Sequence, residues 1–492
     1  LSILPPMIAI ILALITKEVL FSLIAGVLSG TIIYSIASGM NPIVGPVSTV
    51  FDVMIQKADM NIIIFCFLLG GLVYLINASG GAQAYGKWAK KKMKSSKQSL
   101  FSTFILGVVI FVDDYFNCLT VGSVMREITD EFKVSRAMLA YIIDSTAAPV
   151  CIIAPISSWA AAVSGYTSGD GFQLFLNTIP FNLYALLTIV MVCYVIGSEF
   201  HFGKMKKHEL AAQNGDVCFG DDSYQTNEEI SYNQKGKVLD LILPVIVLIM
   251  SCIIGMIYTG GFFDGKDLIT AFSQCDASRG LVYGTFVTLI FVFILYIPRK
   301  VLEFVDFCGS FAQGFKAMTS AIMILCLAWT LSGVCGAEYL NIQGFVKAAV
   351  GGSTMAIAVM PVIFFLISLG LAFATGTSWG TFGILIPISV TILSGNYMMM
   401  SVCVGAILAG AVCGDHISPI SDTTILSSAG AQCKHIDHVA TQMPYALTVA
   451  LCASVGYILS GITGNGYIGL AGAAISLALA MMIIVITAKR GR

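Results

Sequence analysis

Charge is what this chain has least of. Only 11% of its 492 residues are Asp, Glu, Lys or Arg, against 57% hydrophobic, and mean hydropathy is +0.89. Soluble domains carry about a quarter charged residues, so a water-soluble globule is excluded before any motif is read. A net charge of -1 leaves no basic excess for a nucleic-acid partner. The regular alternation of a porin-type barrel is also missing, so helices are the spanning elements. The 14 cysteines are scattered in apolar runs without metal-ligand spacing or a paired framework, and read as small buried hydrophobes. No cleavable signal peptide is legible, and Leu1 already lies in an apolar stretch, so further N-terminal residues are expected before it.

What is there is a series of apolar segments long enough for a hydrocarbon core of roughly 30 Å. They fall near 2–16, 18–37, 60–78, 99–112, 117–130, 136–166 and 177–197, then near 238–259, 279–297, 318–335, 354–373, 380–394, 399–430, 441–461 and 467–487. Between the series runs a polar stretch, His201 to Lys237, with Lys204, Lys206, Lys207, Asp221, Asp222, Glu228 and Glu229. It reads as a cytoplasmic linker between two halves. The expected organisation is a first repeat over 1–200, the linker 201–237, a second repeat over 238–461, and a C-terminal helix with basic tail over 462–492.

Lysines and arginines set the orientation. The densest run is Lys87, Lys90, Lys91, Lys92, Lys94 and Lys97; Arg126 to Arg136, Lys204 to Lys207, Arg299-Lys300 and the tail Lys489 to Arg492 agree with it. With all of these cytoplasmic, 18–37 runs outward and its counterpart 279–297 inward, while 60–78 runs inward and 318–335 outward. The halves then have opposite topology, and the C-terminus is cytoplasmic. Ala154-Pro-Ile-Ser-Ser-Trp159 lines up with Ser418-Pro-Ile-Ser-Asp-Thr423, and Asn117, Thr120 and Gly122 with Ser378, Thr381 and Gly383. Inverted repeats around a midplane site are a pattern of secondary transporters.

Arms 99–112 and 117–130 are about 14 residues each, roughly 21 Å as helix, which is short for a crossing. They flank Val112-Asp-Asp-Tyr-Phe-Asn117 and read as a re-entrant hairpin over 99–131. Its equivalent is 354–394, with Ala374-Thr-Gly-Thr-Ser-Trp-Gly380 at the tip. Segments 136–166, with Pro149 and Pro155, and 399–430, with Pro419, are expected to unwind in the middle, because proline removes a backbone donor and clashes with the preceding turn. Unwound backbone at membrane depth lies inside protein or beside a wet cavity, where freed carbonyls, hydroxyls and carboxylates can take a small cation.

Asp113, Asp114, Asp144, Asp415 and Asp422 lie deep in apolar text, where no Lys or Arg joins them. Each ionised aspartate there costs roughly 2.5–3.5 kcal/mol. Protons or a mobile cation must balance them, and competition between the two produces exchange. His416 belongs to the one residue type that titrates near neutral pH, and can sense or carry the proton. Plain structural readings stand beside these: helix caps for Asp415 and Asp422, an aqueous boundary for Asp113 and Asp114, a hydroxyl partner for Asp144, and close helix packing for the small hydroxyl residues.

Gly414-Asp-His-Ile-Ser-Pro-Ile-Ser-Asp-Thr-Thr-Ile-Leu-Ser-Ser-Ala-Gly430, with Phe111-Val-Asp-Asp-Tyr-Phe-Asn117 and Ala154-Pro-Ile-Ser-Ser-Trp159, resembles the NhaC-type sodium/proton antiporters over essentially the whole chain. The resemblance implies an all-α polytopic membrane protein of inverted-topology repeats, with re-entrant hairpins, interrupted helices, a scaffold and an elevator-type transport domain, assembled as a homodimer in a prokaryotic cell membrane. Carried over, the hairpin tips are Asp113 to Asn117 and Thr375 to Ser378, and the breaks Pro155 to Ser158 and Asp415 to Thr423.

The expected function is sodium- and proton-coupled secondary transport, Na+/H+ antiport foremost. Movement of an amino acid or other small organic solute is the alternative, since Tyr115, Phe116, Trp159 and Trp379 near the breaks suit an organic ammonium. The candidate cation or substrate site comprises Asp113, Asp114, Asn117, Asp144, Ser157, Ser158, Thr375, Thr377, Ser378, Asp415, His416, Ser418, Ser421, Asp422 and Thr423. Sodium is assigned to Asp415, Ser421, Asp422 and Thr423. No cofactor is called for, Na+ and H+ being the transported or coupling ions. An intramembrane aspartyl protease is disfavoured because Val412 stands where that pattern needs glycine before Gly414-Asp415 and because inverted halves have no purpose in a protease, and a passive channel has no need of alternating access.

Overall fold

The computed structural model describes residues 2–16, 18–166, 171–220, 235–341, 354–393 and 395–490. All regular structure among them is helical. Nine of the described helices are long and apolar enough to cross a membrane, or ten if Gly171–Phe181 and Leu183–Ser198, bent by 47°, form one span. That bend has a local cause: Pro180 sits in a tight turn and the Asn182 side chain caps the next helix through the Ala185 amide, 3.3 Å.

The helices sort into two packed groups, each drawing on both halves of the sequence. One joins Leu4–Thr16, Val19–Ala37, Val44–Lys57, Met60–Ala78, Leu239–Thr259, Ala277–Tyr296 and Phe304–Cys335. The other joins Ser96–Val109, Asp114–Glu131, Arg136–Cys151, Leu183–Ser198, Thr354–Thr375, Ser378–Leu393, Tyr397–Ile417, Asp422–Ala431 and His435–Thr463. Glycine lets backbones touch within the first group, as at Gly70 against Gly314 and Gly255 against Gly280. In lipid such close packing replaces the hydrophobic drive that water would supply.

Some helices depart from the sequence expectation. Val44–Lys57 is an additional helix whose apolar run is interrupted by Ser48, Asp52 and Gln56. Phe304–Cys335 starts well before 318, since Asp306, Gln313 and Lys316 dilute the apolar signal of its first turns.

The linker is partly structured. Helix Met205–Gln213 docks against the start of helix Arg136–Cys151, where Glu209 accepts from the Ser135 amide at 3.0 Å and its hydroxyl at 2.5 Å. Burial raises the Glu209 carboxyl above the ordinary glutamate range, and the two Ser135 bonds oppose that shift. Phe202 packs on Tyr445 at 4.1 Å between ring centres. The rest of the expected linker, 221–234 with Asp221, Asp222, Glu228 and Glu229, lies outside the described residues, as do the last two residues of the basic tail.

Candidate functional site

The first hairpin is made by Ser96–Val109 and Asp114–Glu131. It turns over Ile110–Asp113, so Asp114 to Asn117 already lie in the second arm's first turn. Asn117 pins that turn: its amide nitrogen donates to Gly107 O at 2.6 Å, Ile110 O at 2.9 Å and Thr146 O at 3.3 Å. The second hairpin is made by Thr354–Thr375 and Ser378–Leu393 and turns at Gly376-Thr377. Gly376 has φ +68°, and a Cβ there would lie 2.4 Å from Ile420 O, so glycine is required on both counts.

Both proline-bearing helices break at the expected stretches, with shifted ends. The first runs Arg136–Cys151, opens over 152–157 and resumes as Ser158–Ser164. Pro149 stays inside the first helix, and the break falls at Pro155. The second runs Tyr397–Ile417, opens over 418–421 and resumes as Asp422–Ala431. Asp415 and His416 therefore belong to an intact last helical turn rather than to the unwound stretch.

The two breaks are built alike. Ser157 and Ser421 cap the resuming half-helices, accepting from Ala160 N and Thr424 N, each at 3.1 Å. The next amide in each case donates to a hairpin tip, Ser158 N to Val112 O at 3.1 Å and Asp422 N to Gly376 O at 3.4 Å. Each tip is thereby stitched to the break in its own half.

Beside the tips lies a cavity of about 80 Å³, lined by Asp113, Tyr115, Thr377, Trp379 and Asp422 and, from helix Phe304–Cys335 of the other group, Ala317, Met318 and Ile324. It sits between the two groups. Tyr115 donates to Asp422 Oδ2 at 2.5 Å, and Asp422 Oδ1 accepts the Thr423 amide at 2.8 Å. Behind it Asp415 is fully buried; its Oδ2 accepts from Ser378 at 3.0 Å and Thr423 at 3.1 Å, while Oδ1 meets no donor. Asp114 is buried, meets no donor at either oxygen, and lies within electrostatic reach of Asp113 and Asp422. Asp113, also buried, lies 3.5 Å from the Ser158 hydroxyl. The cavity lining contains no Lys or Arg. No three His, Cys, Asp or Glu side chains among the described residues converge as a metal cage, and the oxygens here are of the kind a hard monovalent cation takes.

Asp144 is elsewhere, in a second network. Its carboxylate accepts from Gln442 at 2.6 Å, Thr424 at 3.1 Å and Ser427 at 3.3 Å, with His438 Nε2 at 3.4 Å and His416 Nε2 at 4.0 Å. His416 Nδ1 lies 3.1 Å from the Tyr184 hydroxyl. Thr424 also reaches Asp415 O at 3.3 Å, so one hydroxyl joins the two networks.

Of the expected site residues, Asp113, Thr377 and Asp422 line the cavity, and Ser378, Asp415, Ser421 and Thr423 are hydrogen-bonded around it. Asn117, Ser157, Ser418 and Thr375 donate to backbone carbonyls and act as ties; Ser418 reaches Phe373 O at 2.8 Å and Thr375 reaches Leu371 O at 2.9 Å. Trp159 and Trp379 pack edge to face at 6.0 Å, with Phe382 against both, and the side chain of Phe116 lies outside the described residues. Sequence reasoning missed Thr424, Ser427, His438 and Gln442, and took Tyr115 only as an aromatic face. His438 and Gln442 stand one helical turn apart, a polar pair on one helix face, which was the available signal.

Comparison with known proteins adds the following. The profile of the Na+/H+ antiporter family matches residues 139–462. An uncharacterized protein of Haemophilus influenzae is 40% identical over 99% of this chain and 95% of its own length. Shorter similarities of 37% identity reach a malate-2H(+)/Na(+)-lactate antiporter of Bacillus subtilis, over 18% of this chain and 20% of that one, and the arginine/ornithine antiporter ArcD of Halobacterium salinarum, over 20% of each.

Proposed function

This chain belongs to the Na+/H+ antiporter family, and we propose that, as a multi-pass secondary transporter, it exchanges sodium for protons at the cavity between its two helix groups. The observation that carries the reading is charge without a counter-charge. Asp113 and Asp422 line the cavity, Asp114 and Asp415 lie behind it, and no basic side chain lines it. Three buried carboxylates and the half-buried Asp422 cannot all be ionised alone, at roughly 2.5–3.5 kcal/mol each. Some stay protonated throughout; at Asp415 and Asp422 a proton balances the charge in one state and a sodium ion takes its place in the other, so the arrival of either displaces the other. The sodium ion takes carboxylate oxygen from Asp415 and Asp422 and neutral oxygen from Ser421, Thr423 and Thr377. Asp144, already supplied with donors, holds a fixed charge beside His416 and His438, and Thr424 links it to the cation shell.

On this reading, 1–200 and 238–461 are inverted repeats, and the group bearing both hairpins moves elevator-fashion against the other group, in a homodimer with a cytoplasmic C-terminus. The matched serine caps and matched tip-to-break amide bonds support the repeat. The position of the cavity between the groups supports the sliding surface.

A second reading, exchange of a small organic solute, has the names of the malate/lactate and arginine/ornithine relatives in its favour. The cavity volume opposes it. About 80 Å³ is well short of the roughly 300–1,000 Å³ of an organic-ligand pocket. The test is proton flux in proteoliposomes, with sodium alone and then with lactate, malate, arginine and ornithine. Sodium alone should drive it; flux that appears only with an organic solute overturns the assignment.

A further inference from the structure

A second cavity is larger than the acidic one. A groove of about 650 Å³ opens between helix Gly81–Lys90, the first hairpin's outer arm Ser96–Val109 and helix Leu183–Ser198. Its wall is apolar: Trp88, Met93, Phe101, Ile105 and Ile196 line it, and Trp88, Phe101 and Ile105 are left 53%, 52% and 40% exposed. Its polar end carries Lys92 and Lys97. Lys97 Nζ donates to Gly197 O, which holds its charge at the rim. Among the described residues no carboxylate pairs with Lys92 or Lys97, whereas nearby Lys90 pairs with Glu131 at 2.7 Å. The helix Ser96–Val109 also begins at this end, adding the positive pole of its dipole.

We propose that this groove binds one anionic phospholipid, with its acyl chain against Phe101, Ile105 and Ile196 and its phosphate at Lys92 and Lys97. The occupant follows from the two ends together. An apolar wall exposed in a membrane protein meets lipid in any case, and unpaired ammonium groups at the headgroup level select an anionic lipid over a zwitterionic one. The long stems of the two lysines let the charge reach the interface while covering apolar surface. Helix Gly81–Lys90 follows directly on Met60–Ala78 of one group and packs on Asp114–Glu131 of the other, to which the other two walls also belong. A bound lipid therefore lies on the helix that joins the two groups.

Trp88 reports occupancy, because it lines the groove while Trp159, Trp329 and Trp379 are buried. The full chain is reconstituted in phosphatidylcholine vesicles containing a small fraction of either brominated phosphatidylglycerol or brominated phosphatidylcholine, and the quenching lost in Trp88→Phe is taken as the groove signal. The anionic probe should quench at a mole fraction on the order of 25-fold lower than the zwitterionic one, since each of the two groove lysines favours it about five-fold. Lys92→Gln with Lys97→Gln should remove that preference and leave zwitterionic quenching intact, which also shows that the variant is folded. Lys91→Gln with Lys94→Gln, at residues outside the groove, should keep most of it. Equal quenching by both lipids, an equal loss in the two double variants, or shielding of Trp88 from both lipids by a second copy of the chain would each overturn the proposal.

Discussion

Two buried acid clusters sit within a few helical turns of each other, and they differ in how many donors the fold provides. Asp144 meets Gln442, Thr424 and Ser427, with two imidazoles close by. At the cavity, Asp114 meets no donor and Asp415 leaves one oxygen bare. A carboxylate with donors at both oxygens is held in place, and one with a bare oxygen keeps coordination free. On the proposed function, this contrast makes the first cluster a support and the second the place of exchange.

The strongest way to break this contrast is Asp144→Ala. It strips a common partner from Gln442, Thr424, Ser427 and His438, and removing one side of a buried charged network costs about 3 kcal/mol or more. The unfolding midpoint in mild detergent should fall sharply. A variant as stable as the parent but without transport would move Asp144 into the exchange site. Asp415→Asn is the counterpart. Asparagine still offers an oxygen to Ser378 and Thr423, so the fold should hold, while loss of the charge should cut sodium-driven proton flux by at least about tenfold, the scale of one charged contact. Unchanged flux removes Asp415 from the cation shell.

A smaller effect is expected at Gly122, which ties the clusters to one frame. A Cβ there would lie 2.4 Å from the backbone of Gly430, so Gly122→Ala must push hairpin arm Asp114–Glu131 away from half-helix Asp422–Ala431. Overpacking of this kind costs about 1–3 kcal/mol. Because the half-helix carries Asp422 and Thr423, the sodium concentration for half-maximal flux should rise along with the instability. A change in stability without a change in sodium dependence would separate hairpin packing from the site.

The two breaks and the acidic residues around them were legible because proline and buried aspartate are both costly in lipid, and their cost marks them in a single sequence. Pro155 and Pro419 announced interruptions that the chain makes. The ends of each opening were not legible, since Pro149 stays inside an intact helix and Asp415 and His416 still belong to one. The separation of Asp144 from the cavity was not legible either. Its partner Gln442 lies 298 residues along the chain, and periodicity within a helix cannot report contact at that distance. His438 escaped notice because it precedes the apolar run beginning near 441, where polar residues read as the edge of a span. Val44–Lys57 was missed for the same reason, its polar residues breaking the run on which the reading depended.

The finest comparison sets Ser157 against Ser421. Both cap a half-helix with the same 3.1 Å bond, so Ser157→Ala and Ser421→Ala should each lower stability by about 1 kcal/mol. They differ in what else the hydroxyl touches. Ser157 donates to Cys151 O and Ala154 O within its own break, whereas Ser421 lies 3.2 Å from the Thr423 hydroxyl, which bonds Asp415. Ser421→Ala should therefore weaken sodium dependence as well as stability, while Ser157→Ala should change stability alone. Equal sodium dependence in the two variants would mean that the second break, like the first, only holds the chain in place, and the cation would then have to be held by the hairpin tips and Asp415 without it.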